Sequence, residues 1–99
     1  MVKLVVGYGQ PDDPARFDEH YVGTHIPLVN KIPNLLRFES GKVLGAPDGS
    51  APPFYYLAEL WFDDAEQLQA AMGSPEGQAA GADVETFASG GTTRMIAQV

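Results

Sequence analysis

The chain has 99 residues, with 13 acidic against 6 basic side chains and a formal net charge of −7. Nucleic acids and anionic membranes are bound through clustered Lys and Arg, so these scattered cations argue against both as partners. The absence of cysteine excludes disulfides, thiolate nucleophiles and thiolate metal ligands. A chain of this length is expected to form a single domain over residues 1–99, and its short apolar N-terminus predicts neither a signal peptide nor a membrane span. We therefore expect a cytoplasmic protein.

The first half of the chain predicts a strand, a helix and a second strand. Val2 to Tyr8 is rich in β-branched and apolar residues, which favours a strand. Asp12-Asp13-Pro14 places a capping carboxylate before a proline, which is typical of a helix start. Pro27 is expected to kink or end this helix, and the loose alternation from Leu35 to Gly45 predicts the second strand.

The second half predicts a central strand, a divided helix and a final strand. Phe54 to Phe62 is apolar on both faces, which indicates a central strand that is covered on both sides. A helix is expected to begin at Asp63-Asp64, to break at Gly73-Ser74-Pro75-Glu76 and to resume as a short helix toward Ala82. Thr92 to Val99 predicts the last strand.

The resulting order, β-α-β-β-α-β, predicts the α+β ferredoxin-like fold, a four-stranded antiparallel sheet with helices on one face. Two helices can cover only one face of that sheet, and the other face would be bare in a monomer. We therefore expect a homodimer that forms through the sheets and encloses a cavity for a small-molecule ligand.

The two histidines are the first candidates for chemistry. His25 lies where Pro27 weakens the helix, and an imidazole there can serve as a general acid or base near neutral pH. The alternative is a buried histidine whose ring nitrogen bonds a backbone carbonyl. His20, five residues earlier, is separated from His25 by about 140° on a straight helix and is expected to lie in solvent. This spacing predicts no metal site and no cofactor, although haem ligation by a single histidine stays open.

Glu59 is the second candidate, because a carboxylate in the apolar strand costs desolvation energy unless it is paired or protonated. It is predicted to take part in proton transfer together with His25. The alternative is an ion pair across the sheet with Arg37 or Arg94.

Aromatic side chains are predicted to line the pocket for an apolar or aromatic ligand, with the hydrophobic core as the alternative location. They are Tyr8, Tyr21, Tyr55 and Trp61.

The segment from Phe17 to Leu28 resembles the Phe-x-x-x-Tyr-x-x-x-His-x-Pro-Leu motif of the EthD family, part of the dimeric α-β barrel superfamily. Ile32-Pro33-Asn34-Leu35, the strand around Glu59, Ser74-Pro75-Glu76-Gly77 and the segment from Asp83 to Phe87 are also similar to that pattern. The resemblance implies a ferredoxin-like subunit that pairs sheet to sheet, with His25 facing the pocket.

The family takes its name from a protein associated with the degradation of ethyl tert-butyl ether, and related domains include decarboxylases and dehydratases. Similar folds host cofactor-independent oxygenases, haem-degrading enzymes and isomerases, so the fold leaves the reaction open. The first hypothesis is acid/base chemistry on a small apolar or aromatic oxygenated compound. The second is a non-catalytic binding or accessory protein, and the third is an assembly module without a pocket.

Overall fold

Four strands form the framework of the molecule, which a computed structural model describes over residues 1–99. They are β1 (Val2–Tyr8), β2 (Arg37–Lys42), β3 (Tyr56–Phe62) and β4 (Thr92–Gln98). All neighbouring strands are antiparallel and the order across the sheet is β2-β3-β1-β4. The predicted ferredoxin-like fold class is therefore confirmed, with β3 and β1 in the centre of the sheet.

The helices lie on one face of this sheet. They are α1 (Pro14–His20), which continues through a π-helical turn (Tyr21–His25) into α2 (Ile26–Val29), then α3 (Ala65–Gly73) and α4 (Pro75–Phe87). Side chains cap three of the helix starts: Asp13 accepts from the Arg16 N–H, Asp64 from Gln67 and Ser74 from Gly77.

Helix α4 is longer than the sequence predicted. It continues to Phe87 instead of ending near Ala82, because Ala80 and Phe87 are buried in the core and this packing outweighs the weak helix propensity of Gly81 and Val84. The extra turns matter for the site, since they include Asp83.

The core lies between the helices and the sheet. Alternate residues of the strands point into the core, and among them Tyr8, Ala58 and Phe62 are each at most 2% exposed. The helices contribute Phe17, which stacks on Tyr21 with the ring centroids 5.7 Å apart. Phe17 also contacts Tyr8 and Phe87 edge-to-face. This aromatic cluster fixes α1 and the π-helical turn against β1.

The opposite face of the sheet carries no helix, and we call it the open face. It presents the other set of alternating residues, namely Lys3, Val5, Arg37, Glu39, Leu57, Glu59, Trp61 and Met95. Trp61 lies between two cations, 5.4 Å from the Lys3 ammonium and 5.0 Å from the Arg37 guanidinium to the ring centroid. The open face is therefore mixed, with apolar side chains among cross-strand charges.

Two strands begin later than predicted. β2 starts at Arg37 and not at Leu35, and β3 starts at Tyr56 and not at Phe54. The Phe54 ring instead packs over Gly7, and a Cβ atom at Gly7 would lie only 2.7 Å from that ring. No helix in the fold has both the length and the apolar character needed to cross a membrane.

Candidate functional site

His25 lies at the end of the π-helical turn, with its residue 4% exposed. In this turn the N–H of Ile26 donates to the carbonyl of Tyr21, five residues earlier. Pro27 explains the widened turn, because it has no N–H and its ring would crowd the carbonyl of Gly23 in a regular α-helix. The helix thus widens and passes Pro27 instead of ending there.

The widened turn changes which face of the helix His25 occupies. In a π-helical turn, residues five apart lie about one turn apart along the helix. His20 and His25 therefore point to the same side, where both contact Asp83. The straight-helix separation predicted from the sequence is therefore wrong. The expectation that His20 is simply solvated is also wrong, because its Nε2 lies 2.9 Å from Asp83 Oδ1 and its side chain is 29% exposed.

Asp83, on α4, bridges the two histidines. Its Oδ2 lies 3.0 Å from His25 Nδ1, while both of its carboxylate oxygens are within 3.0 Å of His20 Nε2. The Thr86 hydroxyl adds a further bond to Asp83 Oδ1 at 3.2 Å. Sequence reasoning missed Asp83 as a site residue. One signal was available in the sequence, because Asp83 is the first residue of the segment from Asp83 to Phe87 that resembles the family pattern.

The electrostatics of this group favour a neutral His25. Burial lowers the pKa of His25 and outweighs the opposing effect of the Asp83 carboxylate. Burial raises the pKa of Asp83, but the hydrogen bonds from His20 and His25 outweigh it and hold that pKa below its ordinary value. With an ionised Asp83, the hydrogen-bond network assigns the proton of neutral His25 to Nδ1, which leaves Nε2 as an acceptor with only the long contact to the Tyr8 hydroxyl. The alternative in which a backbone carbonyl holds this ring is wrong, since Asp83 does so.

His25 Nε2 faces a cavity of about 70 Å³ between the helices and the sheet. The Tyr8 hydroxyl lies 3.5 Å from this nitrogen, and Tyr21 also lines the cavity. Burial raises the pKa of Tyr8 far above its ordinary value and that of Tyr21 to about 12, so both remain hydrogen-bond donors at neutral pH. The Tyr21 hydroxyl is buried near the side chains of Tyr8 and Ser40, but neither forms a hydrogen bond with it.

The remaining predicted site residues lie elsewhere. Glu59 is on the open face, on the other side of the sheet from His25, so the structure does not bring the two together. Its nearest cation is Lys3 at 3.6 Å, and the predicted partners Arg37 and Arg94 are wrong, since Arg37 pairs with Glu39 at 2.6 Å.

Trp61 shares the open face with Glu59, so it does not line the His25 cavity. The Tyr55 hydroxyl donates to Asp18 on α1 at 2.7 Å, and its ring contacts Phe17 edge-to-face. Of the four aromatic residues predicted to line the pocket, the structure therefore places Tyr8 and Tyr21 beside His25, and it places Tyr55 and Trp61 elsewhere. The His20–Asp83–His25 group bonds internally and does not form a cluster suited to a metal ion.

These features define a ferredoxin-like domain with a buried, carboxylate-held histidine in an apolar cavity. The sequence matches the EthD domain over residues 10–91, and the chain belongs to that family. It is 47% identical over 96 residues to an uncharacterized 11.0 kDa protein in the thcB-thcC intergenic region of Rhodococcus erythropolis, covering 97% of this chain and 92% of that protein.

Solved structures agree with this assignment. An ethyl tert-butyl ether (EthD) family protein from Bacillus halodurans is 44% identical with a TM-score of 0.93, and the match covers 100% of this chain and 98% of that one. A dimeric ferredoxin-like protein of unknown function from Thermobifida fusca, 16% identical, has a TM-score of 0.76 over 99% of this chain and 90% of that one. At that identity the second likeness shows the fold alone.

The arrangement predicts how His25 titrates. In an NMR titration of the imidazole Cε1–H signals, we expect His25 to titrate below its ordinary pKa of 6.5 because burial disfavours the charged ring. Asp83→Asn should move the titration to still lower pH, since the carboxylate favours the imidazolium. Glu85→Gln, two residues along the same helix, is the matched control and should leave it unchanged. A His25 pKa above 6.5 would contradict the assigned environment.

Proposed function

We propose that the protein is a small-molecule enzyme in which His25 acts as general base and then general acid. One observation carries this proposal: the buried imidazole of His25 contacts Asp83 through Nδ1, and it lines an apolar cavity where Nε2 lies 3.5 Å from the Tyr8 hydroxyl and Tyr21 is also in the lining. A base with these properties accepts a proton near neutral pH without first losing one. The cavity lies inside the subunit, and we propose it as the site of chemistry in place of the sheet-to-sheet chamber expected from the sequence.

The geometry suits proton transfer next to a carbonyl or from a phenol. His25 Nε2 would take the proton from the substrate, and the resulting negative charge would develop on the substrate oxygen. Hydroxyl donation from Tyr8 and Tyr21 would stabilise that oxygen, as preorganised donors do in a water-poor site. Asp83 would stabilise the imidazolium through Nδ1, and return of the proton from Nε2 to another atom of the substrate would complete an isomerisation.

The substrate class follows from the walls of the cavity. Of the sixteen lining residues twelve are apolar or aromatic, which suits a small apolar or aromatic compound bearing an oxygen function. The name of the EthD family, which refers to ethyl tert-butyl ether, supports a role in the catabolism of such compounds or in the tailoring of related molecules.

A second candidate function is ligand binding without chemistry. The buried Tyr21 hydroxyl favours it, because an unpartnered buried hydroxyl costs about 1–3 kcal/mol that a ligand oxygen would offset whether or not a reaction follows. The two functions differ in what His25→Ala does, since binding can survive the loss of the imidazole and proton transfer cannot.

The catalytic role can be tested without knowing the natural substrate. We expect the protein to accelerate deuterium exchange at carbons next to the carbonyl in a panel of small ketones in D₂O, measured by proton NMR. His25→Ala should reduce the rate by about 10²- to 10⁴-fold, the usual contribution of a positioned base. Tyr8→Phe should reduce it less, because the base remains.

Thr24→Ala is the matched control for this measurement, since Thr24 is the exposed neighbour of His25. It should retain the wild-type rate. Exchange that is equally fast in His25→Ala would contradict the proposed base. Saturable ketone binding without exchange in any variant would contradict catalysis and favour the binding protein.

We also propose that the protein is a homodimer formed through the open face. Val5, Leu57 and Met95 place apolar surface there, and Met95 is 50% exposed. Leu57 pairs with Gly41, where a Cβ atom would meet nothing within 4 Å, so a partner sheet can approach closely on this side of Leu57.

The dimer can be tested by placing a charge within the apolar part of that face. Leu57→Arg should shift the protein from dimer to monomer in size-exclusion chromatography with light scattering, because an unpaired charge in an apolar contact is costly. Val22→Arg is the matched control, since Val22 is 62% exposed on the helix layer. A monomeric wild type, or a dimer that Leu57→Arg leaves intact, would contradict the proposed interface.

A further inference from the structure

The cavity beside His25 is not closed on all sides. It adjoins a groove of about 730 Å³ along the gap between α4 and β4. The residues that line both spaces are Leu4, Met72, Gly77, Gly81, Val84 and Arg94. We call this shared boundary the mouth of the cavity.

Two features keep the mouth open. β4 is an edge strand, and the helices leave it uncovered, so Ile96 remains 51% exposed although it lies opposite Leu4 on the helix-facing side of the sheet. On α4, a Cβ atom built at Gly81 would meet nothing within 4 Å. The mouth is therefore bordered by a glycine where other residues would project a side chain into the gap.

Arg94 gives the mouth a specific chemistry. Among the sixteen residues that line the inner cavity, His25 and Arg94 alone carry a charged or chargeable nitrogen group. Arg94 lies opposite Val6 in the pairing of β1 with β4, so it projects toward the helix side, where it is an exposed residue that lines both the cavity and the groove. Its guanidinium has no ion pair within the chain, and Glu85, which also lines the groove, forms none with it.

The field of Arg94 reaches the reacting groups. Its positive charge opposes the burial that raises the pKa of Tyr8. The chain as a whole carries a net charge of −7, which repels anions, so an anionic ligand would need a local cation of this kind. A guanidinium with free donors at an apolar cavity matches a carboxylate, which it can bind through two parallel hydrogen bonds.

We propose that the ligand enters through the mouth between α4 and β4 and carries a carboxylate that Arg94 binds there. The inference rests on the proposed function, because it supplies the substrate class for the same cavity. The apolar body of such a ligand would extend inward to His25 while a second oxygen meets Tyr8 and Tyr21. The inner cavity is smaller than the ~150 Å³ that holds a benzene ring, so larger bodies would also occupy the groove.

Paired probes that differ only in charge test this proposal. Benzoate with benzamide, and hexanoate with hexanamide, are titrated into the ¹⁵N-labelled protein and followed by amide shifts of Gly77, Gly81 and Val84. We expect each carboxylate to bind about tenfold more tightly than its amide, and Arg94→Gln to remove that difference while leaving amide binding unchanged. Arg94→Lys should restore part of it.

Gly81 provides the test of the route. Gly81→Leu should weaken the binding of both members of each pair by filling the mouth. Ala79→Leu is the matched control and should leave binding unchanged, because Ala79 is exposed on the same helix and lines neither the cavity nor the groove. Unweakened binding in Gly81→Leu would overturn the proposed route.

The remaining outcomes separate this proposal from the proposed function. Equal binding of carboxylate and amide in wild type, or a preference that Arg94→Gln retains, would overturn the role of Arg94 and leave the His25 chemistry intact. Failure of every carboxylate to bind would also overturn it, and the His25-dependent deuterium exchange of neutral ketones then decides whether the proposed function stands.

Discussion

The Asp83 carboxylate connects the two helical segments on which the site depends, namely α4 and the π-helical turn. It accepts hydrogen bonds from His20 and His25, which enter from opposite ends of the π-helical turn, and it stands on α4. Its side chain is only 11% exposed, so each bond is worth more than it would be in water. Without this anion the imidazole of His25 would lose its orientation and the stabilisation of its charged form.

The alternation of residues along the strands separates the chemistry of the two sheet faces. Val6 and Tyr8 face the helices and the cavity, whereas Lys3, Glu59 and Trp61 face away from them. A fold that pairs through its open face can therefore keep the His25 cavity inside each subunit. The proposed assembly and the proposed chemistry would use different sides of the same four strands.

The strand pattern and the fold class could be predicted because the burial of alternate residues dominates local structure in this chain. β1 was predicted with its observed bounds, and β4 differs by one residue at its end. The weakened helix before Pro27 predicts a role for His25, and aromatic character predicts that Tyr8 and Tyr21 line a pocket. The structure brings these three side chains together around one cavity, and their roles stay predictions.

The rest of the site depends on geometry that local patterns do not specify. The π-helical turn changes the angle between His20 and His25, and a wheel drawn for a regular helix gives the wrong relation. Asp83 acts on residues 58 and 63 positions earlier, so it could be identified only after helix packing is known. The sheet face on which Glu59 lies could be assigned only from the strand pairing, because both faces of β3 are largely apolar.

The tautomer of His25 tests the central claim most directly. A two-bond ¹H–¹⁵N correlation experiment at neutral pH distinguishes a protonated from a bare ring nitrogen. The account predicts a proton on Nδ1, held by Asp83, and a bare Nε2 facing the cavity. A neutral ring with its proton on Nε2, or a positively charged ring at this pH, would contradict it.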